Sequence, residues 1–350
     1  MALKYFTDAN SGIGYVNIQG ENLSGIDNIY HLESPNTKVV DRVLNVLLSI
    51  VESQKIIYEL VYSAFSPDEL AGIIMREKSV AFVSGPNSVN GAQIIDLSSM
   101  YDEDIVFKNS NTIAQMTLGM AVSYQKAHGH LAAALEIHDE WERFFQQRMD
   151  FEAAQKFQEE FIVEFFESAI PASTKVPVVA KRFFGAFSSD GLVEFIPELT
   201  DDLKRYLIKG QPGTGKSTFM RGILAKALEL GYDVDEYQCS LDPESLDMIV
   251  IPELDVCFFD ATAPHEYEAS RPRDEIIDLY RDFTTAVTVE EAAADTVTDI
   301  AKRYYEQIDL AKTALKNATA VRNMINDLYN EAVLIVQLEE LLFWLRKIAE

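Results

Sequence analysis

The stretch Gly210-Gln-Pro-Gly-Thr-Gly-Lys216-Ser217-Thr218 constrains the fold of this chain more than any other. It fits G-x-x-x-x-G-K-[ST], a loop whose backbone N–H groups close around a phosphate. Gly210, Gly213 and Gly215 omit the Cβ atoms that would crowd that phosphate. Lys216 is placed to reach the β- and γ-phosphates, and Ser217 to offer its hydroxyl to Mg²⁺. Gln211, Pro212, Thr214 and Thr218 complete the phosphate-binding segment. The flanks agree with the motif. Arg205 to Lys209 reads as a short buried strand, and Phe219, Met220, Ile223, Leu224, Ala227 and Leu228 recur at helical spacing. Gly231 stands where that helix would stop. Strand, glycine loop and helix together predict an α/β core that binds one Mg-nucleotide.

A second element of that site is Leu254-Asp-Val-Cys-Phe-Phe-Asp260, an apolar strand ending in an acid. An acid at the carboxyl end of a neighbouring strand lies at the crevice where such sheets bind ligands. Asp260 is therefore expected to hold Mg²⁺ together with Ser217. No Glu follows Asp260, so the acid pair of many motor ATPases is missing. His265 has two readings, a residue that orients water or contacts phosphate, and a capped turn histidine. Arg271 and Arg273 lie on the segment that leaves Asp260, and arginines near a γ-phosphate stabilise transition-state charge. Ala261 to Asp274 is accordingly expected to act as a nucleotide-sensing lid, in which the two arginines support turnover. Asp242 and Asp247 read first as turn and capping residues, with a general base for a kinase as the alternative. Cys239 reads as a small buried residue.

The chain also repeats itself. Lys4, Phe6, Ala9, Ser11, Gly14 and Val16 recur 177 positions later as Lys181, Phe183, Ala186, Ser188, Gly191 and Val193. Pro67, Leu70, Ile73, Glu77, Val80 and Phe82 recur at an offset of 176, and Ile94 to Leu97 at 182. Glu152, Ala153, Gln158 and Glu160 pair with Glu331, Ala332, Gln337 and Glu339 at 179. Colinear blocks with drifting offsets are the mark of an old duplication. Opposite the glycine loop, Leu32 to Val40 pairs Pro35 with Pro212 in one register and Lys38 with Lys216 in the next. Either way the glycines are lost, Glu33 brings a negative charge, and Ser84 replaces Asp260. The first copy is expected not to bind Mg-nucleotide.

Two domains follow from this reading. Residues 1–170 form a degenerate repeat with a helical extension over about 110–168, and residues 178–350 an intact repeat with an extension over about 288–350. Pro171 to Pro177 is the junction. Thr288-Val-Glu-Glu291 has the form of a capping box at the start of the second extension. Both extensions carry apolar residues at helical spacing. They are expected to form helical hairpins beside the cores, more often a packing surface than a binding site, and a place for a possible protein partner.

Composition narrows the setting. Of 350 residues, 48% are hydrophobic and 25% charged, the balance of a folded soluble chain. The net charge of −26 argues against a general nucleic-acid or anionic-membrane surface, which needs clustered Lys and Arg. No apolar run approaches the roughly 18 residues of a membrane span. Met1-Ala-Leu-Lys-Tyr5 has no long apolar core, and Cys239 and Cys257 make no disulfide framework, so a cytoplasmic location is expected.

Gly210 to Thr218, Cys239-Ser-Leu-Asp-Pro-Glu-Ser-Leu-Asp247, Ile251-Pro-Glu-Leu254 and Asp260-Ala-Thr-Ala-Pro-His265 together resemble a family of duplicated P-loop proteins from spore-forming and related Gram-positive bacteria. The resemblance covers most of the second copy and, more faintly, the first. Members usually carry Asp-Gly-Thr-Ala-Pro-His, where this chain has Ala261, and often keep an intact first loop, which this chain lacks. The resemblance implies ATP binding and the duplication, and no particular substrate. Slow ATP hydrolysis coupled to a conformational change is the leading expectation. A small-molecule or nucleoside kinase and a non-catalytic nucleotide-dependent interaction module are the alternatives.

Overall fold

A computed structural model describes residues 2–171, 176–284 and 289–349. Most of the proposed junction, and the capping box at Thr288, lie outside the described residues. The first half runs β1 (Leu3–Phe6), β2 (Asp8–Ser11), β3 (Gly14–Asn17), α1 (Gln19–Asn22), β4 (Asn28–Glu33), α2 (Thr37–Ser53), β5 (Glu59–Ser63), β6 (Ser66–Met75), β7 (Val80–Val83), β8 (Gln93–Asp96), α3 (Glu103–Gln146) and α4 (Phe151–Phe165). The second runs β9 (Val179–Arg182), β10 (Gly185–Ser188), β11 (Gly191–Glu194), α5 (Ile196–Leu199), β12 (Lys204–Lys209), α6 (Lys216–Glu229), β13 (Val234–Gln238), β14 (Leu246–Ile251), β15 (Val256–Asp260), β16 (Glu275–Asp278), α7 (Leu279–Phe283), α8 (Val289–Asn330) and α9 (Ile335–Ala349).

The protein is α/β, with two mixed six-stranded sheets of one topology. The orders are β1-β5-β6-β7-β4-β8 and β9-β13-β14-β15-β12-β16. In each sheet only the third strand, β6 or β14, runs against the others. Phe6 and Phe183, 177 positions apart, exchange both backbone hydrogen bonds at 2.9 Å, the pattern of a local two-fold axis. Further bridges join Tyr101 to Val333 and Met149 to Thr284. Tyr101 thus corresponds to Thr284, and Met149 to Val333, at offsets of 183 and 184. This corrects the pairing of Glu152 with Glu331. Glu152 lies in the first turn of α4, whereas Glu331 lies in the turn before α9.

Strand alternation sets the layers. On β15, Val256 and Phe258 face the core beneath α6, while Cys257 and Phe259 face the other sheet. On β7, Phe82 packs under α2, while Ala81 and Val83 join the same central core. The layers therefore run helix, sheet, sheet, helix. α2 is held down by Val39, Val43, Leu44, Leu47, Ile50 and Val51, an apolar stripe at helical spacing. Buried charge also crosses between the sheets. Arg182 pairs with Glu59 of the first half at 3.2 Å and with Asp235 of the second, and lies 4.8 Å over the Tyr5 ring.

The extensions exchange partners. α3 and α8 pack antiparallel, with Glu140 on Arg303 near one end and Asp102 on Ala332 near the other. The short helices then land on the opposite halves: α4 packs on α6 and α7, and α9 on α2. Helix length accounts for this. A 44-residue α3 spans about 66 Å, so its far end lies beyond its own core. Among the described residues, no helix is long and apolar enough to cross a membrane.

Candidate functional site

The segment Gly210–Gly215 connects β12 to α6 at the carboxyl edge of the second sheet. α6 begins at Lys216 with Gly215 as its N-cap at φ 91°, and no side chain caps its first N–H groups. Those groups, with the helix dipole behind them, form an anion-binding end. Gly213, at φ 79°, is required for a second reason. A Cβ there would lie 2.5 Å from the carbonyl oxygen of Glu142, because the end of α3 rests on the loop. The Lys216 ammonium folds back to donate to the carbonyls of Gly210 (2.7 Å) and Gln211 (3.0 Å), and lies 3.4 Å from Asp260. Ser217 Oγ accepts from the Leu246 N–H at 3.1 Å, and Asp260 accepts from the Thr262 N–H at 2.9 Å. Thr214 bonds back to Gln211, and the Thr218 carbonyl accepts from Gln158 of α4.

These groups face a cavity of about 340 Å³. Pro212, Gly213, Gly215, Lys216, Ser217, Thr218, Asp260 and His265 line it, together with Asp242 and Asp247. Residues from both extensions close it: Trp141 and Glu142 from α3, Phe151 from α4, Tyr304 and Tyr305 from α8. The cavity is therefore completed by a helix of the first half.

Charge in the cavity is concentrated. Burial pushes the Asp260 carboxyl above its ordinary value, Lys216 opposes this, Asp247 adds to it and His265 opposes it. His265 is buried between two acids, with Nδ1 bonded to Glu194 and Nε2 3.4 Å from Asp247 Oδ2. Burial works to lower its pKa, but Asp247 and Glu194 push it up to about 10, so the ring is an imidazolium at neutral pH. Acids thus engage both ring nitrogens, a role that neither reading gave it. His265 anchors acids at the floor of the cavity. Asp247 is buried, and its Oδ2 faces the His265 ring at 3.4 Å, an ion pair rather than the backbone contact of a turn or capping acid. Asp242 instead accepts from the Glu244 N–H at 3.3 Å, the geometry of a turn.

The arginine expectation needs correction. Arg271 donates to the carbonyls of Thr200 and Asp201 at 2.7 Å, and Arg273 lines a separate groove with Lys204 and Glu275. Asp274 binds Arg205 at 2.8 Å. All of these lie at the start of β12, about 17 Å of strand away from the glycine loop. The cause is topological. β15 and β16 both run parallel to β12, so the segment between them must cross the full depth of the sheet. Only its first residues, Ala261 to His265, lie beside the site. Replacing Arg271 and Arg273 together by Ala is therefore expected to leave ATP turnover within about 2-fold, a difference of ~0.4 kcal/mol. An ADP-release assay on the double variant checks this, and a tenfold loss would restore the lid.

The first half lacks this site for a structural reason that neither sequence register captured. Between β4 and α2 lie only Ser34, Pro35 and Asn36, against six residues from Gly210 to Gly215. Asn36 then occupies the helix end itself, accepting from the Lys38 N–H at 3.0 Å and donating to Asn330 at 2.8 Å. Lys38 points away to Asp327 at 3.3 Å, and Ser84 does stand at the end of β7.

Trp141 and Glu142 line the cavity and Glu194 holds His265 from behind it, yet no motif marks them. They come from a hairpin strand and from the other half's extension. Comparison of the chain with family models, with curated proteins and with solved structures finds no match.

Proposed function

We propose that the second half is a P-loop nucleotide-binding core that holds one Mg-ATP and hydrolyses it slowly, with the extension of the first half closing over the nucleotide. The observation that carries this reading is Lys216, whose ammonium sits between the loop carbonyls and Asp260 at an uncapped helix end. The backbone N–H groups and Lys216 would take the phosphates. The aromatic side chains of Trp141 and Tyr305 on the cavity wall suit a purine. The first half, with its shortened loop, would be a non-binding partner within an ancient duplication, a departure from the family the sequence resembles, whose members often keep an intact first loop.

Magnesium fits the oxygen donors present. Ser217, Asp260 and Asp247 share the cavity, and Mg²⁺ takes oxygen ligands almost exclusively. When bound, the ion would neutralise charge on the terminal phosphates. Lys216 and the loop position the phosphate chain, His265 fixes Asp247, and α3 limits water access.

A kinase is the second reading, and Asp247 favours it. A buried acid that lines the cavity and is oriented by the His265 ring is placed to accept a proton from a substrate hydroxyl. Titration calorimetry with Mg-ATP tests the shared premise, with one site per chain expected. ADP release with and without a metabolite panel then separates the readings. Stimulation by one metabolite supports the kinase, steady release without any supports the ATPase, and two equivalent sites would overturn both.

A further inference from the structure

The crevice of the first half is larger than that of the second, about 960 Å³ against 340 Å³. It occupies the corresponding place, at Ser34 to Thr37 and Ser84, where the shortened loop and the Asn36 cap leave no phosphate cradle. Its wall is mainly apolar. Tyr15 stacks on Phe65 at 5.1 Å, and Phe65 meets Tyr124 edge-on at 4.9 Å. A cleft that has lost its ancestral ligand chemistry is expected to fill with side chains. This one has stayed open.

Its polar groups are specific. Arg322 reaches the wall from α8 of the other half and is 7% exposed. One guanidinium nitrogen donates to Ser66, its Nε has no partner, and among the described residues no carboxylate pairs with it. The Tyr124 hydroxyl is also buried without a partner. A buried guanidinium is ordinarily paired, since desolvating an unmatched charge is costly. The acids on the same wall do not supply the match. Asp8 is already engaged by the Ala64 N–H and the Tyr15 hydroxyl, Asp96 by Ser98, and Glu33 is exposed. These acids, with Glu69, would repel a polyanion such as a nucleotide, yet they tolerate a single negative charge seated on Arg322.

We infer that this cleft binds a small organic monocarboxylate with an aromatic or aliphatic body, its carboxylate on Arg322 and the Tyr124 hydroxyl, and its body against Tyr15 and Phe65. Arginine offers a planar fork that matches a carboxylate, and the aromatic wall matches the body.

The test uses the full chain and three probes of one shape: 4-phenylbutyrate, its neutral amide and 4-phenylbutylamine. Saturation-transfer NMR and calorimetry are expected to show saturable phenylbutyrate binding, with the amide at least ~10-fold weaker and the amine undetectable up to about 10 mM. Arg322→Met is expected to lower phenylbutyrate affinity at least ~10-fold, the loss of one charge-assisted contact, and to leave amide binding unchanged. Tyr124→Phe, which keeps the aromatic wall, is expected to weaken only the carboxylate, by about 3-fold or more, and it serves if Arg322→Met fails to fold. Absence of phenylbutyrate binding, equal affinity for acid and amide, or preference for the amine would overturn the inference. None of these outcomes depends on the nucleotide site.

Discussion

Lys216→Ala is expected to lower Mg-ATP affinity about 100-fold or more, whereas Lys38→Ala leaves it unchanged. The size follows from the contacts at stake. Lys216 would make charge-assisted hydrogen bonds to two phosphates, and their joint loss is worth roughly 3 kcal/mol, with 1.4 kcal/mol to each tenfold. A second effect acts in the same direction. Lys216 opposes the upward push of burial on the Asp260 carboxyl, so its removal raises that pKa further and weakens a proposed magnesium ligand. Lys38 meets Asp327 on the surface, with 42% of its side chain exposed, beside a helix end that Asn36 has already capped. Calorimetry on both variants, with melting curves to establish folding, checks the contrast. An unchanged Lys216→Ala titration, or a loss on Lys38→Ala, would remove the basis for a single site in the second half.

What could be read beforehand was local. Arg205 to Gly231 dictates strand, loop and helix within one stretch, because glycine geometry, helical spacing and strand length all act over a few residues. Asp260 was legible for the same reason, as the end of one apolar strand. The repeat was legible where strands align without gaps, as from Phe6 to Phe183. It misled where the loop had lost three residues, since an ungapped comparison sets Lys38 against Lys216. The exchange of α4 and α9 was not legible. An amphipathic face specifies that a helix packs but not which core it meets, and α3 is long enough to carry α4 to the other half. Arg271 and Arg273 lie far from the loop because nearness in sequence to Asp260 is not nearness in space, in a segment that has to cross a parallel sheet.

That exchange shapes the candidate site. Glu142 lies against Gly213, Phe151 lines the cavity, and Gln158 holds the carbonyls of Thr218 and Phe219 at 2.9 and 3.1 Å. The loop of the second half is therefore braced by the first. The same two helices, α3 and α8, supply walls to both cavities, through Trp141 and Tyr304 in one and Tyr124 and Arg322 in the other.

His265→Gln is expected to destabilise the protein by about 3–5 kcal/mol at pH 7, the range for removing one partner from a buried ion pair. Glu194 and Asp247 would remain in place without the imidazolium between them. The pH dependence separates this account from a simple packing loss. Because the folded pKa of His265 is raised to about 10 from an ordinary 6.5, its contribution is complete below pH 6.5 and is lost as pH rises through 10. The wild-type advantage in melting temperature over His265→Gln should be greatest near pH 6.5 and shrink steadily toward pH 10. Mg-ATP affinity should fall in the variant as well, since Asp247 loses the group that fixes it. A melting-temperature difference that stays constant from pH 6.5 to 10 would mean that the ring is buried uncharged, and that the acids beside the proposed phosphate site are held by something else.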